Sequence, residues 1–349
     1  MSDSKPCILV TGGTGYIGSH TVVALIEQGF DVVIADNLCN SELFILDRIE
    51  EISGVRPRFY QIELCNLSEI ESLFIQEKSI KAVIHFAALK AVGDSVSSPL
   101  AYYKNNLVSM ISLLQAMQHA SVKHLVFSSS CTVYGEPDYL PVTESTPIKS
   151  ALSPYGNTKQ IGEEILVDHT KASDTSCIAL RYFNPVGAHS SALIGELPIG
   201  TPNNLVPFIT QSATGKLGPL RVFGNDYNTP DGTCIRDYIH VEDVASAHVA
   251  AMNRMLNGEQ KDSFEIFNIG TGNGNTVLEV IHAFEESTGV KLNYSICDRR
   301  EGDIEKVYAD TSRSNQILGW KAKKTLNEMM ASAWAWEKQL SNRNNNHGT

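Results

Sequence analysis

The stretch Thr11-Gly12-Gly13-Thr14-Gly15-Tyr16-Ile17-Gly18 decides the fold predicted for this chain. It follows an apolar run, Cys7 to Val10, that is typical of a buried parallel strand, and it opens a helical pattern from Tyr16 to Gln28. Gly12, Gly15 and Gly18 lack a Cβ atom, so the turn can be tight and its backbone can approach a pyrophosphate at the helix N-terminus. The stretch predicts a strand–turn–helix unit that binds a dinucleotide, with an ordinary glycine-rich turn as the alternative.

The acidic residue after the second apolar run specifies the dinucleotide. Asp36 directly follows Val32 to Ala35. A carboxylate at this point can accept hydrogen bonds from both ribose hydroxyls and would repel a 2′-phosphate. No arginine follows in Asn37-Leu38-Cys39. The sequence therefore favours NAD over NADP.

Apolar runs alternate with helical patterns through the first half of the chain. Further strands are predicted at Phe59–Leu64, Ala82–Phe86, Leu125–Phe127 and Cys177–Leu180. This alternation predicts an α/β fold, a Rossmann-type doubly wound parallel sheet, and we assign residues 1–184 to an NAD-binding domain.

The composition changes after Asn184, where glycine and proline become frequent. We expect a smaller C-terminal α/β substrate-binding domain here. It would comprise residues 185–235 and 271–340, with return segments near 236–270 that include a helix from Val241 to Met255 and a strand at Phe264–Ile269. Capping boxes at Thr276–Glu279 and Thr325–Glu328 predict two late helices. The Asn-rich tail, residues 341–349, is predicted to be disordered.

Charge and cysteine usage exclude several classes of function. The net charge of -11 argues against binding to nucleic acid or to anionic membrane surfaces. It does not exclude an anionic ligand, which a few local arginines can hold. The seven cysteines are scattered without Cys-x-x-Cys spacing, which predicts neither a disulfide framework nor a metal site. With no signal peptide or membrane span in the sequence, we expect a cytoplasmic protein.

A tyrosine and a lysine four residues apart supply candidate acid–base chemistry. Tyr155 and Lys159 would share one face of a helix that begins at Pro154. A nearby ammonium and an oxidised nicotinamide both favour the phenolate, so we expect a lowered Tyr155 pKa. A surface tyrosine beside a solvated lysine is the alternative. Ser130 and Thr132, just after the fifth strand, could hydrogen-bond the reacting oxygen, or could merely cap a turn.

These motifs together resemble the extended short-chain dehydrogenase/reductase family, and within it the UDP-sugar 4-epimerases. The resemblance covers nearly the whole chain. The motif from Ser128 to Gly135 is part of the resemblance, and its most specific stretches are Asp36 to Ser41, His85 to Gly93, Arg181 to Ala188, Pro202 to Leu205, Gly232 to Val241 and Arg299 to Asp303.

The resemblance implies a reversible, NAD-dependent epimerisation at C4 of UDP-glucose and UDP-galactose, as used in galactose metabolism. Tyr155 would take the proton of the 4-hydroxyl, and hydride would pass to NAD and return to the other face of a 4-keto sugar. Lys159 would bind the nicotinamide ribose, while Ser130 and Thr132 would shuttle the proton. NAD would stay bound as a prosthetic group, and the chain would form a homodimer.

The resemblance also assigns binding residues. For NAD they are Gly12, Gly15, Tyr16, Ile17, Gly18, Asp36, Asn37, Asn40, Ser41, Glu63, Leu64, Phe86, Ala87, Lys90, Asn105, Ser130, Tyr155, Lys159 and Tyr182. For the UDP-hexose they are Ser130, Tyr155, Asn184, Asn204, Leu205, Phe223, Arg236, Tyr238, Arg300 and Asp303. Two arginines can clamp a diphosphate. Without the family, Arg236 beside Asp237 would be interpreted as a surface ion pair.

Two departures from the family pattern leave alternatives open. Glu63-Leu64 stands where the family has Asp-Ile against adenine, so that contact is in question. Val307 stands at the gate of the sugar pocket and is smaller than the tyrosine found in glucose- and galactose-specific members, which favours dual specificity that includes UDP-N-acetylglucosamine. A 4,6-dehydratase would carry acidic residues near Cys131 and Thr132, which are absent here. A reductase with net redox and a non-catalytic dinucleotide sensor are the remaining rivals.

Overall fold

The computed structural model describes residues 6–300 and 302–347 of the chain. Its strands, in chain order, are β1 (Cys7–Thr11), β2 (Asp31–Asp36), β3 (Arg58–Gln61), β4 (Ile80–His85), β5 (His124–Ser130), β6 (Ser176–Tyr182), β7 (Asn184–Val186), β8 (Leu220–Phe223), β9 (Ile235–Arg236), β10 (Tyr238–His240), β11 (Phe264–Ile269), β12 (Asn275–Thr276), β13 (Tyr294–Cys297) and β14 (Lys306–Val307).

The helices follow the same order. They are α1 (Tyr16–Glu27), α2 (Ile45–Ser53), α3 (Leu67–Gln76), α4 (Val92–Ser97), α5 (Pro99–Tyr103), α6 (Ser109–His119), α7 (Pro154–Ala172), α8 (Leu205–Ala213), α9 (Val241–Leu256), α10 (Val277–Thr288), α11 (Ser312–Gln316) and α12 (Leu326–His347). A π-helical turn, Lys104–Val108, joins α5 to α6, and a 3-10 turn, Cys131–Tyr134, follows β5.

A parallel sheet of seven strands forms the centre of the molecule, in the order β11-β6-β5-β4-β1-β2-β3. The inner strands are largely apolar because helices cover both faces of the sheet, and two separate hydrophobic clusters lie on the two sides. Strand order reverses at β1, which pairs with both β2 and β4. Ligands of open α/β sheets bind beyond the carboxyl ends of the strands at such a reversal. The predicted Rossmann-type fold is confirmed.

One predicted strand was too long. β3 ends at Gln61, whereas the apolar pattern predicted a strand to Leu64. Ile62 N still donates to Asp36 O (3.2 Å), but Glu63 N then donates to the Glu69 carboxylate (2.7 Å) and the chain turns away from the sheet. The predicted strand at Phe264–Ile269 is confirmed as β11, the edge strand beside β6.

After β6, the described part of the chain forms three smaller sheets in addition to strand β11 of the large one. β7 pairs with β10, β8 with β13, and β9 lies between β12 and β14. α8, α10 and α12 pack around a third hydrophobic cluster. The capping box that opens α10 is confirmed, since Thr276 and Glu279 exchange both hydrogen bonds. Thr325 and Glu328 do the same ahead of α12.

The prediction of a disordered tail was wrong for residues 341–347. α12 continues to His347. Trp336 on this helix is buried, and Ser341 Oγ donates to Glu337 O (2.9 Å), so the anchored helix extends through the Asn-rich segment. Residues 348 and 349 lie outside the described part of the chain. No helix among the described residues has the length and apolar composition that crossing a membrane requires.

Candidate active site

The glycine-rich turn is a close backbone contact between β1, α1 and the segment after β4. Gly12 has φ +70°, and a Cβ there would lie 2.8 Å from Ala87 N. A Cβ on Gly18 would lie 2.1 Å from Gly12 O. Gly15, the N-cap residue of α1, has no side chain to occupy the free N–H groups of the first turn. The turn therefore has the shape and the donors that a pyrophosphate requires.

Asp36 is fixed at the end of β2 by its own loop. Its Oδ2 accepts hydrogen bonds from Thr14 N (3.2 Å) and Thr14 Oγ1 (2.7 Å), and its Oδ1 accepts from Leu38 N (2.9 Å). Ser41 Oγ lies 2.7 Å from Thr14 Oγ1, while Asn40 is exposed on the same loop. The sequence did not single out Thr14, although a threonine inside the glycine turn was a visible signal. The carboxylate is thereby held beside the glycine-rich turn at the end of β2.

Glu63 is tied to the loop that follows β2. Its Oε2 accepts from Asn37 Nδ2 (2.9 Å), and its Oε1 accepts from Cys65 N (3.1 Å). Burial raises the pKa of Glu63, but these hydrogen bonds outweigh it, and the net effect is a lowered pKa. Leu64 beside it is buried. The longer side chain therefore keeps an ionised carboxylate beside the loop.

The segment after β4 lines the other side of the turn. Phe86 N donates to Thr11 O (3.0 Å), and the Phe86 ring lies 4.6 Å from that of His248. Asn105 Nδ2 donates to Asn106 Oδ1 (3.0 Å). Asn106, which the sequence did not indicate, is buried and accepts from Leu89 N (2.8 Å), so it fixes this segment.

α7 presents the candidate acid–base pair to the carboxyl end of the sheet. Ser153 caps the helix by accepting from Gly156 N (3.1 Å), and Pro154 occupies the first turn as predicted. Lys159 Nζ donates to Ser128 O on β5 (2.6 Å) and lies 5.9 Å from the centroid of the Tyr155 ring. Both side chains are buried, so the alternative of a surface tyrosine beside a solvated lysine is excluded.

The protein groups shift the Tyr155 pKa against the predicted direction. Burial raises the pKa of Tyr155 well above its ordinary value, the nearby Tyr182 raises it further, and the Ser130 side chain lowers it only in part. Burial also lowers the pKa of Lys159 to about 8. The prediction rested on the ammonium and on an oxidised nicotinamide, and it did not consider the desolvation of a buried phenol, which is the largest of the protein's own effects on Tyr155.

The end of β5 supplies hydroxyls around Tyr155. Ser130 Oγ accepts from Thr132 N (3.2 Å) and Thr132 Oγ1 (3.0 Å), which leaves the Ser130 proton free to be donated elsewhere. Ser128 Oγ hydrogen-bonds Tyr182 Oη. β5 extends to Ser130, whereas the predicted strand ended at Phe127. The residues from Ser128 to Ser130 therefore belong to the strand and not to a loop after it.

A buried ion pair behind Lys159 was missed. Glu163, one turn further along α7, accepts from Ser129 Oγ and from Arg181 Nε on β6 (2.9 Å), with a second contact to Arg181 Nη2. Arg181 also lies over the Tyr134 ring, 4.8 Å from its centroid. The spacing Tyr155, Lys159, Glu163 was the available signal, since these residues share one helix face.

Four of the residues expected to hold the UDP-hexose lie on the smaller sheets, namely Asn184, Phe223, Arg236 and Tyr238. Asn184 begins β7 opposite Tyr238 of β10, and Arg236 of β9 stands opposite Val307 of β14. Val307 is buried in a cluster that also contacts Cys131, the first residue of the 3-10 turn after β5. The structure thus brings the expected sugar gate next to the end of β5.

Arg300, Phe223 and Asp303, which are all expected to hold the UDP-hexose, lie together. Arg300 Nη2 donates to Asp303 Oδ1 (2.8 Å), and its guanidinium lies 5.6 Å from the centroid of the Phe223 ring. Asn204 is the N-cap residue of α8 and Leu205 its first residue. Arg236, by contrast, donates to Ile235 O (2.8 Å).

The alternative interpretation of Arg236 and Asp237 as a surface ion pair is wrong. Asp237 is fully buried and accepts from Thr271 N (2.9 Å), Gly272 N (3.1 Å) and Ala309 N (3.1 Å). Burial raises the pKa of Asp237, and these hydrogen bonds counter it in part. Asp237 therefore fixes β9 beside β14 and leaves Arg236 on the site side.

Comparison with known proteins places this geometry in a family. Residues 8–270 match the model of the NAD dependent epimerase/dehydratase family. The chain is 51% identical to a UDP-glucose 4-epimerase of Yersinia enterocolitica over 96% of this chain and 98% of that one. A Stenotrophomonas maltophila UDP-glucose-4-epimerase, solved with bound NAD and formylated UDP-arabinopyranose, is 49% identical at a TM-score of 0.93, covering 96% of this chain and 99% of that one.

A second solved structure agrees with the first. The UDP-glucose 4-epimerase of Bifidobacterium longum, in complex with NAD+ and UDP, is 45% identical at a TM-score of 0.91, covering 96% of this chain and 99% of that one. Both the sequence match and the shared architecture extend over nearly the whole length of each protein. The chain therefore belongs to the NAD dependent epimerase/dehydratase family.

Proposed function

We propose that this chain catalyses the reversible, NAD-dependent epimerisation of UDP-glucose and UDP-galactose at C4. One observation carries the proposal: Tyr155, Lys159 and Ser130 meet in a buried position at the carboxyl edge of the sheet, beside a turn that fits a pyrophosphate. Relatives that match over nearly their whole length act as UDP-glucose 4-epimerases, which supports this chemistry over that of a dehydratase, a reductase or a sensor.

The residues present suit NAD. The turn from Gly12 to Gly18 would hold the pyrophosphate, and Asp36, fixed by Thr14, would accept the adenosine ribose hydroxyls. Asn37, Glu63 and Leu64 would flank the adenine. When bound, NAD would supply the hydride acceptor, and in its reduced form the hydride donor, for C4 of the sugar.

Tyr155 would act as the acid–base group. Its phenolate oxygen takes the proton of the 4-hydroxyl and returns it to the sugar oxygen after the 4-keto sugar has rotated to present its other face. Ser130, oriented by Thr132, hydrogen-bonds the same oxygen and helps to move the proton. Lys159 binds the nicotinamide ribose, and its ammonium favours the phenolate that burial alone disfavours.

The smaller sheets would hold the nucleotide and leave the sugar free to rotate. Arg236 and Arg300 would bind the diphosphate, while Asn184, Asn204 and Phe223 would contact the uridine side. With the UDP fixed at a distance from Tyr155, the keto sugar can present either face of C4. We assign residues 185–235 and 271–340 to this substrate-binding part, with Asn184 and Arg236 contributed by the segments that border it.

Val307 supports a second activity, on the N-acetylated UDP-hexoses. It is buried beside Cys131, so a tyrosine at this position would occupy space that valine leaves to a 2-acetamido group. We expect UDP-N-acetylglucosamine to react at a kcat/KM within about tenfold of that for UDP-galactose, and Val307→Tyr to widen the gap by about 100-fold. Poor turnover of the acetylated sugar by the unaltered protein would refute this specificity.

Two copies of the chain would associate through an apolar surface on α4, α5, the π-helical turn and α6. Its exposed side chains are Val92, Val96, Leu100, Val108 and Ile111. Leu100 is 82% exposed, and a group of exposed apolar side chains on adjacent helices is the kind of patch through which proteins associate. Sedimentation should give a dimer that Leu100→Glu dissociates and Ile75→Glu, on α3, does not. A monomeric unaltered protein would refute the dimer.

The state of the cysteines indicates the cellular compartment in which the chain works. All seven lie within the described residues and are free thiols, which supports a reducing compartment, and we propose that the chain works in the cytoplasm.

The test of the activity is direct. The purified protein, given UDP-galactose and no external NAD, should form UDP-glucose until the two sugars reach equilibrium. If no UDP-glucose forms, or if product is limited to one equivalent of the NAD that the protein contains, the proposal is wrong.

A further inference from the structure

A single carboxylate oxygen joins the two halves of the site. Glu196 Oε1 accepts from Lys90 Nζ (3.1 Å) and from Asn204 Nδ2 (3.1 Å). The Glu196 side chain is 12% exposed, whereas that of Lys90 is 55% exposed. The glutamate is therefore the buried member of the group and the lysine the exposed one.

The backbone at Glu196 is fixed independently of this contact. Trp336 Nε1, on the buried side of α12, donates to Glu196 O (2.8 Å). A Cβ on Gly195 would lie 2.5 Å from the Trp336 ring, so glycine allows the indole to pack directly against the chain. His189 N donates to Ile194 O (3.1 Å) and closes the loop. Helix α12 thus fixes the position of the Glu196 backbone, from which the carboxylate extends to Lys90 and Asn204.

The two partners come from opposite sides of the site. Lys90 follows β4, and its Nζ lies 5.6 Å from the centroid of the Tyr16 ring in the glycine turn. Asn204 precedes α8 but does not cap that helix with its side chain, so its amide is available for another role. Lys90 is expected to contact NAD and Asn204 the UDP moiety.

We propose that Glu196 is a positioning residue that orients Lys90 toward NAD and Asn204 toward the UDP moiety. This inference rests on the proposed function. An exposed lysine held by one carboxylate contributes little. A carboxylate on a fixed backbone that holds two donors selects one rotamer for each, which reduces the ordering that binding requires. Glu196 itself contacts neither ligand and acts through these two side chains.

Removing the carboxylate should weaken both binding steps more than the chemistry. We expect Glu196→Ala to raise KM for UDP-galactose about tenfold and to speed NAD release about tenfold, while kcat changes less than about threefold. Glu196→Gln keeps an acceptor for Asn204 but loses the ion pair with Lys90. It should restore KM to near the unaltered value while NAD release stays fast.

A matched control separates this role from a general structural one. Glu285 on α10 has a similar exposure, 14%, and accepts from Lys291 Nζ (2.7 Å), but it lies outside the site. Glu285→Ala should leave KM and NAD release unchanged. If Glu196→Ala and Glu285→Ala lose only thermal stability, to a similar degree and with equal KM values, the inference is overturned.

Double variants provide the decisive comparison. If Glu196 acts through Asn204, adding Glu196→Ala to Asn204→Ala should raise KM by less than about twofold beyond Asn204→Ala alone. Adding Glu196→Ala to Lys90→Met should likewise change NAD release little. Full additivity in both pairs would overturn the inference. An unaltered protein that fails to epimerise UDP-galactose would instead overturn the proposed function.

Discussion

Replacing Gly18 with alanine tests the glycine turn. The new Cβ would lie 2.1 Å from Gly12 O and 2.9 Å from Gly13 Cα, and both are backbone atoms. Ordinary contact begins at 3.4 Å, so α1 and the turn must separate by about 1.3 Å. Overpacking of this kind costs about 1–3 kcal/mol, against which the helix propensity of alanine returns at most about 1 kcal/mol.

The displacement acts on the backbone that would hold the pyrophosphate, so NAD should be lost before the fold is. We expect the Kd of the Gly18→Ala protein for NAD to rise at least about tenfold, as a shift of about 1.4 kcal/mol implies, so that it retains less NAD through purification than the unaltered protein. NAD released by denaturation would be measured by chromatography, and stability by urea unfolding.

Gly218 is the matched control for Gly18→Ala. A Cβ at Gly218 meets no atom within 4 Å, and its φ is not in the left-handed region. Gly218→Ala should keep its NAD and should stabilise the protein by up to about 1 kcal/mol. If Gly18→Ala also keeps full NAD content and stability, the argument from backbone contact in the turn is refuted.

Three further substitutions test the site. Tyr155→Phe should lower kcat by at least about 100-fold with unchanged NAD content; near-normal turnover would contradict the acid–base role. Because burial lowers the pKa of Lys159 to about 8, its ammonium is lost as pH rises through that value. The kcat of the unaltered protein should therefore fall above about pH 8. A Lys159→Met variant should be slower at every pH and should not show this fall. Identical pH profiles of the two proteins would contradict the role of the Lys159 ammonium. Arg181→Met should lower the free energy of unfolding by about 3–5 kcal/mol in urea titrations, since it leaves Glu163 buried and unpaired; a loss below about 1 kcal/mol would contradict the pairing.

The central sheet could be predicted from sequence because its physics is local. Buried parallel strands are continuous apolar runs, and the glycine turn marks the first crossover. Where side chains compete with that pattern the prediction fails. β3 stops at Gln61 because the Glu63 backbone is taken into a turn by Glu69. α12 extends into the Asn-rich tail because Trp336 anchors it.

The parts of the candidate site that depend on long-range contacts could not be predicted. Glu163 and Arg181 are 18 residues apart and pair only because β6 lies beside β5 and α7. Asp237 follows Arg236 in the sequence, which suggests an ion pair between the two side chains. Its carboxylate instead accepts hydrogen bonds from the backbone amides of Thr271 and Ala309. The Tyr155 pKa depends on burial, which a four-residue spacing does not specify. Glu196 has no motif at all.

The fate of the hydrogen on C4 tests the central claim most directly. UDP-galactose deuterated at C4 would be converted in ordinary water, and the UDP-glucose product examined by mass spectrometry and proton NMR. Removal of hydride to NAD and its return within one active site predict that deuterium remains at C4 of the product, with none in the solvent. Product that carries protium at C4 would contradict the account.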